Sequence, residues 1–277
     1  TNYMLGYDLI VTVFERLGRE EQARAVRARN RDSGAYRDPV DPWVDQLADD
    51  CYDVYRLSLS SGAEQRNGDW ATAVRRIEQA IALAPQQASL HFQLAGLHSA
   101  RKAYTKARQG YELCTKLQPD FADGWAQFAF LSELLGDRPT AERALADGLR
   151  NCPNSPGLHL QKARWLVRDK RPEEAIVEFR ESIRLRPNEA DAYLGLASVY
   201  IGLNRNEEGL AAVDQALIAE PEHPGALGIR TFNAIVTGDE LAARQWLRRC
   251  QNQPRVARKD LDQILQAYQQ QFGHAFE

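Results

Sequence analysis

Two sets of side chains in this sequence have the chemistry and spacing to bind another molecule. Gln93, Gln127 and Gln161 recur at intervals of 34 residues, and each primary amide can both donate and accept a hydrogen bond, as pairing with an extended backbone requires. Arg164 and Arg168 are four residues apart, so on a helix they would share one face and could hold a carboxylate together. The alternatives are that the amides are exposed filler and that the arginines are simply solvated.

Residues that usually perform catalysis are sparse and lack catalytic spacing. The five histidines form no paired metal motif, and the sequence contains no phosphate loop and no nucleophile elbow. The four cysteines are far apart, which excludes the usual metal and redox spacings, and we expect Cys114 and Cys250 to be small core residues. We therefore expect a protein that is not an enzyme and that uses no metal and no cofactor.

A strict repeat must position these side chains. Five prolines lie 34 residues apart: Pro85, Pro119, Pro153, Pro187 and Pro221. Because a proline in the interior of a helix removes an amide donor and clashes with the preceding turn, each one marks the end of a unit. A period of about 34 residues is typical of a helix–turn–helix repeat that stacks into a solenoid.

Other positions keep the same period when the proline is counted as position 32. Position 20 is small in every unit: Ala73, Ala107, Ala141, Ala175, Gly209 and Ala243. Position 24 is large and apolar: Ile77, Tyr111, Leu145, Phe179, Val213 and Leu247. Three units carry a Gly-Asp pair between their helices, at 68–69, 136–137 and 238–239. Glycine there predicts a left-handed turn, and aspartate predicts a cap on the next helix.

This pattern resembles that of the tetratricopeptide repeat family. The unit at 190–223 matches the family's aromatic, small and proline positions most fully, with Tyr193, Leu196, Ala197, Tyr200, Ala216 and Pro221. The unit at 122–155 departs from the pattern at Gly148, where the family has alanine. The resemblance implies an all-α, right-handed superhelical solenoid that binds a protein or peptide partner.

The resemblance also implies where that partner would bind. In the family, positions 2, 5, 6, 9, 12 and 13 of each first helix line a concave groove. The residues that we expect to bind a peptide there are Phe92, Gln93, Gln127, Phe130, Gln161, Arg164 and Arg168. These positions are more apolar than a solvated face, which is typical of a binding site, unless neighbouring helices or the chain's own loop cover them. The carboxylate-clamp pattern of heat-shock co-chaperones, with Lys at position 5 and Asn at position 9, is absent.

The 34-residue repeat pattern divides the chain into four parts. We expect a repeat-like helical hairpin at 1–32, a linker with a short helix at 33–53, and a capping helix with a tail at 256–277. Between them lie six repeats, at 54–87, 88–121, 122–155, 156–189, 190–223 and 224–255. The capping helix is predicted from a one-sided apolar stripe of Leu261, Ile264, Leu265, Tyr268 and Phe272. The alternative is that this amphipathic helix binds a partner.

The segment ahead of the repeats allows two interpretations. The linker is either a spacer whose Trp43 packs on the edge of the solenoid or a functional insertion on the binding side. Its Asp-Pro-Trp stretch is similar to a segment in some bacterial tetratricopeptide proteins that are fused to c-type cytochromes, although the sequence has no Cys-x-x-Cys-His. Since the chain begins at Thr1 without a methionine, we expect it to be part of a longer protein or to follow a processing site.

Charge and hydropathy exclude two classes of partner. A net charge of −3 argues against nucleic acid, because phosphate binding needs a dense positive face. No apolar run reaches the ~18–20 residues that cross a bilayer. The predicted function is thus a non-catalytic scaffold that binds a peptide or protein segment in its groove. The alternatives are a structural subunit of a larger assembly, such as a cytochrome-containing complex, and an accessory region of an enzyme whose catalytic domain lies outside this chain.

Overall fold

A computed structural model of the chain describes Glu21 and residues 53–276. Residues 53–276 form thirteen α-helices and no β-strand. The helices are α1 Val54–Asn67, α2 Trp70–Leu83, α3 Ala88–Ala100, α4 Tyr104–Leu117, α5 Ala122–Leu134, α6 Arg138–Asn151, α7 Pro156–Arg168, α8 Pro172–Leu185, α9 Ala190–Gly202, α10 Asn206–Ala219, α11 Pro224–Val236, α12 Glu240–Asn252 and α13 Arg258–Phe272. Apart from Glu21, the predicted hairpin at 1–32 lies outside the described residues, as does the predicted linker at 33–53 apart from Asp53.

The chain forms two compact units, Thr1–Pro85 and Gln86–Glu277. The described part of the first unit is the helix pair α1 and α2, and the second unit contains α3 to α13. In the second unit the helices of each pair pack together, and the second helix of one pair packs on the first helix of the next. First helices start at 54, 88, 122, 156, 190 and 224. The predicted all-α repeat solenoid is therefore confirmed.

The turn between the two helices of a repeat follows the predicted chemistry. Gly68, Gly136 and Gly238 adopt φ values of 84°, 82° and 74°, in the left-handed region that a glycine enters without steric cost. The aspartate after each glycine then caps the second helix: Asp69 accepts from the Thr72 amide, Asp137 from the Thr140 amide and Asp239 from the Ala242 amide.

Three other repeats make the same turn without glycine. Lys102, Lys170 and Asn204 occupy the equivalent position with φ values of 61°, 58° and 60°. A side chain in this region is strained, and asparagine tolerates it better than lysine does. The strain persists because the helices on both sides fix the backbone, as in the hydrogen bonds from the Lys170 amide to the Val167 carbonyl and from the Arg171 amide to the Leu166 carbonyl.

Small residues let the two helices of a repeat approach closely. The position-20 residues are all buried, and in the first unit the buried Ser61 hydroxyl donates to the Ala73 carbonyl at 2.8 Å. Gly148 departs from the family pattern for a packing reason. A Cβ at position 148 would lie 2.7 Å from the Cβ of Trp125 on the neighbouring helix, so the tryptophan takes the space that alanine fills elsewhere.

The apolar stripe of α13 packs against the last repeat. Ile264 and Tyr268 are buried in a cluster with Ile235 of α11 and Leu247 of α12. The Tyr268 hydroxyl donates to Glu240 at 3.0 Å and accepts from Arg244 at 2.8 Å. The helix thus covers apolar side chains of the last helix pair.

Ion pairs join successive repeats of the second unit. Arg108 of one repeat pairs with Asp137 of the next at 2.9 Å, and Arg138 pairs with Asp169 at 2.5 Å. Near the C-terminal end, Arg249 lies 3.2 Å from Glu222. These side chains remain partly exposed to solvent. They add electrostatic contacts to the apolar contacts between repeats.

Candidate binding surface

The predicted binding residues lie on three successive first helices of the second unit. Phe92 and Gln93 are on α3, Gln127 and Phe130 are on α5, and Gln161, Arg164 and Arg168 are on α7. The helix starts 34 residues apart place them at equivalent positions of neighbouring helices. We call the surface formed by positions 2, 5, 6, 9, 12 and 13 of the first helices of the second unit the inner surface.

Large apolar side chains are exposed on the inner surface. Phe130 of α5 is 50% exposed and Phe232 of α11 is 54% exposed, both at position 9. The other exposed apolar residues of this surface are Leu134, Val167, Ile201 and Val236. Exposed apolar side chains that recur on one face of the first helices are candidates for contact with a partner, since an exposed apolar patch often marks an interaction site.

Phe92 differs from Phe130 because it belongs partly to the core. Its ring is half-buried and packs on two others, with centroid separations of 5.2 Å to Tyr111 and 5.0 Å to Phe121. These tilted contacts are typical of aromatic packing inside a protein. Phe92 therefore offers only part of its ring to a ligand.

One of the three glutamines, Gln161, has a side-chain acceptor without a hydrogen-bond donor among the described residues. Gln93, Gln127 and Gln161 are all half-buried. The Oε1 atom of Gln161 is buried and has no hydrogen-bond partner among the described residues. A buried acceptor without a donor costs about 1–3 kcal/mol. A ligand could donate to this oxygen only if the Gln161 side chain turned toward the surface.

The two arginines are paired within the protein. Arg164 of α7 lies 3.1 Å from Asp191 of α9, and Arg168 of α7 pairs with Glu133 of α5. Asp191 also lies 3.4 Å from Nε2 of His223. Each guanidinium thus bridges two first helices, and a carboxylate from a bound chain would share the arginine with Asp191 or Glu133.

Sequence reasoning missed part of this surface. Phe232 stands at the same position as Phe130, three repeats further on, and that periodicity was the available signal. Leu134 and Val236 were also marked only by their shared position 13. The carboxylates that neutralise the arginines had no comparable signal, since the pairs depend on how neighbouring helices are set beside each other.

The residues with catalytic or ligating chemistry have structural contacts instead. Nδ1 of His159 lies 2.6 Å from Glu178, and its Nε2 lies 2.9 Å from the Pro153 carbonyl. Cys114 and Cys250 are buried, as predicted, and Cys51 lies outside the described residues. Over the described part of the chain, His, Cys, Asp and Glu form no group of three or more that could hold a metal ion. No helix in that part is both long and apolar enough to cross a bilayer.

Comparison with known proteins agrees with this architecture. Models of the tetratricopeptide repeat match residues 63–119 and 166–230. The heat shock protein sti1 homolog of Schizosaccharomyces pombe is 31% identical over 102 residues, which is 37% of this chain. The matched segment covers only 17% of that relative's length.

Solved structures of low sequence identity share the fold. The PilF protein of Pseudomonas aeruginosa is 14% identical and aligns with a TM-score of 0.62 over 76% of this chain and 96% of its own. A tetratricopeptide repeat protein from Parabacteroides merdae is 15% identical, with a TM-score of 0.57 over 95% of this chain and 99% of its own. The 34-residue helix pairs and the two matches to the repeat show that the chain is built of tetratricopeptide repeats.

Proposed function

We propose that this chain is a non-catalytic scaffold that binds a peptide or protein segment along its inner surface. The observation that supports the proposal most is the exposure of Phe130 and Phe232 at one repeat position. Burying exposed aromatic rings stabilises a complex by removing apolar area from water, at roughly 25 cal/mol per Å² before the costs of association. Aromatic side chains are also enriched among the residues that dominate binding energies.

The remaining residues of the inner surface have complementary roles in this proposal. Gln93, Gln127 and Gln161 present amides at a regular interval, which suits pairing with the backbone of an extended chain. Rotation of the partly buried Gln161 side chain toward a bound chain would give its Oε1 atom the donor that it lacks among the described residues. Backbone pairing does not depend on the partner's side chains, so these amides would contribute affinity more than specificity.

Arg164 and Arg168 contribute less than free arginines would. An incoming carboxylate competes with an existing ion pair, because Asp191 and Glu133 already offset the charge of the two guanidinium groups. The net gain is the difference between two partly exposed pairs, each typically worth about 0–1 kcal/mol. We therefore expect apolar and backbone contacts, rather than acidic groups, to select the partner.

Site-specific photo-cross-linking tests the proposal. A benzophenone amino acid would replace Phe130 on the inner surface in one variant and Val177 of α8 in a second. Val177 is a matched control because it is 64% exposed but lies on a second helix, outside the inner surface. Each full-length variant would be irradiated in extracts of its source cells, and the adducts identified by mass spectrometry. We expect specific adducts at position 130 that Gln127→Ala weakens.

The same experiment can favour assembly through other faces. Ile218 of α10 and Leu241 of α12 are 72% and 71% exposed on second helices, and they support a subunit that contacts its partners there. Adducts at position 177 with none at position 130 would reject binding at the inner surface and favour this second function.

A further inference from the structure

An apolar trough lies at the C-terminal end of the inner surface. It has a volume of about 620 Å³ and is formed by α9, α11, the connection after α12 and the start of α13. Its apolar lining includes Ile201, Gly228, Phe232, Val256 and Ile264. The volume falls in the range of about 300–1,000 Å³ typical of ligand pockets.

The absence of a side chain at Gly228 leaves part of this space open. Gly228 occupies the middle of α11, and a Cβ built there would meet nothing closer than Cδ1 of Ile264 at 3.9 Å. That is an ordinary van der Waals separation, so close packing does not require glycine at this position. A residue with a longer side chain would extend into the trough and fill it.

Two charged side chains of opposite sign line the same trough. Arg255 precedes α13, its side chain is 74% exposed, and its only ion pair with a described residue is the long 3.4 Å contact to Glu220. Asp260 lies in the first turn of α13, is exposed, and forms no ion pair within residues 53–276. A ligand that is apolar in its middle and carries an acidic and a basic group would complement both charges.

We propose that this trough binds a bulky apolar side chain, aromatic or branched aliphatic, of an extended peptide. The residues flanking that side chain include an acidic one that pairs with Arg255 and a basic one that pairs with Asp260. The inference rests on the proposed function, because the trough continues the inner surface, and it adds the chemistry of the segment that is recognised. Ile201 and Phe232 supply the exposed apolar area that the bound side chain covers.

Selection from a displayed library of random twelve-residue peptides on the full chain provides the probe. The selected peptides would be synthesised, and their affinities measured by fluorescence anisotropy for the wild type and for variants. Gly228→Leu fills the trough and should weaken binding about tenfold or more, since a buried apolar anchor dominates such interfaces. Ala211→Leu adds the same side chain at an exposed site on α10 and should change affinity less than about twofold.

The charges are tested by reversal. Arg255→Glu should weaken peptides that carry the acidic flanking residue about threefold to tenfold, and the loss should shrink at high salt because both groups are exposed. A peptide with that acidic residue changed to lysine should regain affinity for the Arg255→Glu protein. If the charge-reversed peptide does not regain affinity for the Arg255→Glu protein, Arg255 does not pair with the acidic residue of the peptide.

The outcomes separate the two proposals. If no peptide binds the wild type, binding at the inner surface and the trough proposal both fail. If the peptides lose affinity for Phe130→Ser but bind Gly228→Leu and Phe232→Ser as tightly as the wild type, the trough proposal is wrong while the proposed function stands. Phe232→Ser alters an exposed side chain, so it keeps the test valid even if Gly228→Leu disturbs the fold.

Discussion

The ring of Phe179 on α8 lies so close to Gly195 on α9 that a Cβ at position 195 would be 2.2 Å from its Cε1 atom. Phe179 is buried, so its ring cannot move away into solvent. We predict that Gly195→Ala lowers the free energy of unfolding by about 1–3 kcal/mol, the usual effect of overpacking a core. Urea denaturation followed by circular dichroism measures the change.

The matched control substitution, Gly228→Ala, should change the free energy of unfolding in the opposite direction. Gly228 also lies inside a helix, but a Cβ there meets only an ordinary contact, at 3.9 Å from Ile264. Gly228→Ala should raise the free energy of unfolding by about 0.5–1 kcal/mol, because alanine has the higher helix propensity. Equal effects of the two substitutions would show that the contact between Phe179 and Gly195 is not as close as described.

Replacing the strained lysine at a turn should stabilise the protein. Lys170 has a φ of 58°, whereas Gly136 has a φ of 82° at the equivalent position of the preceding repeat. Lys170→Gly removes the strain of a left-handed side-chain-bearing residue, but glycine also increases the conformational entropy of the unfolded chain. We expect the free energy of unfolding to rise by about 0.5–1 kcal/mol in total. The reciprocal substitution, Gly136→Lys, should lower the free energy of unfolding by a similar amount. Thermal unfolding of both variants measures this, and a loss of stability in Lys170→Gly would contradict it.

Stability should depend on pH through the cap of α6. Asp137 accepts hydrogen bonds from Thr140 and from Arg108, and these contacts lower the pKa of its carboxyl below the ordinary value. A carboxyl whose pKa is lowered by folding contributes stability above its unfolded pKa of about 4, and the contribution is lost as the pH falls through the folded pKa.

Asp137→Asn isolates this effect, because asparagine can still cap the helix but cannot ionise. The wild type should melt at a higher temperature than the variant near pH 7, and the difference should shrink steadily from about pH 5 toward pH 3. A difference that stays constant over this range would mean that the carboxylate charge is unimportant.

Thiol reactivity should follow burial. Cys114 is buried, and burial raises the pKa of its thiol to about 11, while Cys152 is half-buried. Since the thiolate is the reactive form, Cys152 should react with Ellman's reagent at pH 8 well before Cys114. Because Ellman's reagent reports the total of the reacting thiols, the measurement uses a Cys51→Ser/Cys250→Ser background and compares its Cys114→Ser and Cys152→Ser derivatives, with fully denatured protein as the reference in which all thiols react alike. Faster labelling of Cys114 would place it at the surface.

The repeat fold could be predicted from sequence because its signals are local and periodic. Gly136 and Asp137 lie next to each other, and one sets the turn while the other caps the helix. Lys170 could not be predicted to adopt the same turn, because a lysine has no preference for a left-handed conformation. Only the packing of the flanking helices imposes that conformation.

The candidate site could be predicted only by position along the repeat. Phe130 is exposed while Phe92, one repeat earlier, lies partly against Tyr111 and Phe121. Burial at such positions depends on the residues of the adjacent helices rather than on the residue itself. The pairing of Arg168 with Glu133 is likewise a property of two helices set side by side.

The ion pairs between successive repeats make the array sensitive to dissolved salt. In a linear array, unfolding is cooperative only to the extent that each repeat is coupled to its neighbours. Pairs such as Arg138 with Asp169 and Arg249 with Glu222 are partly exposed, so counterions can screen them. Concentrated salt should therefore weaken the contacts between repeats more than it weakens the apolar contacts inside each helix pair. We predict that a local opening spreads less readily to the neighbouring repeats at high salt than at low salt.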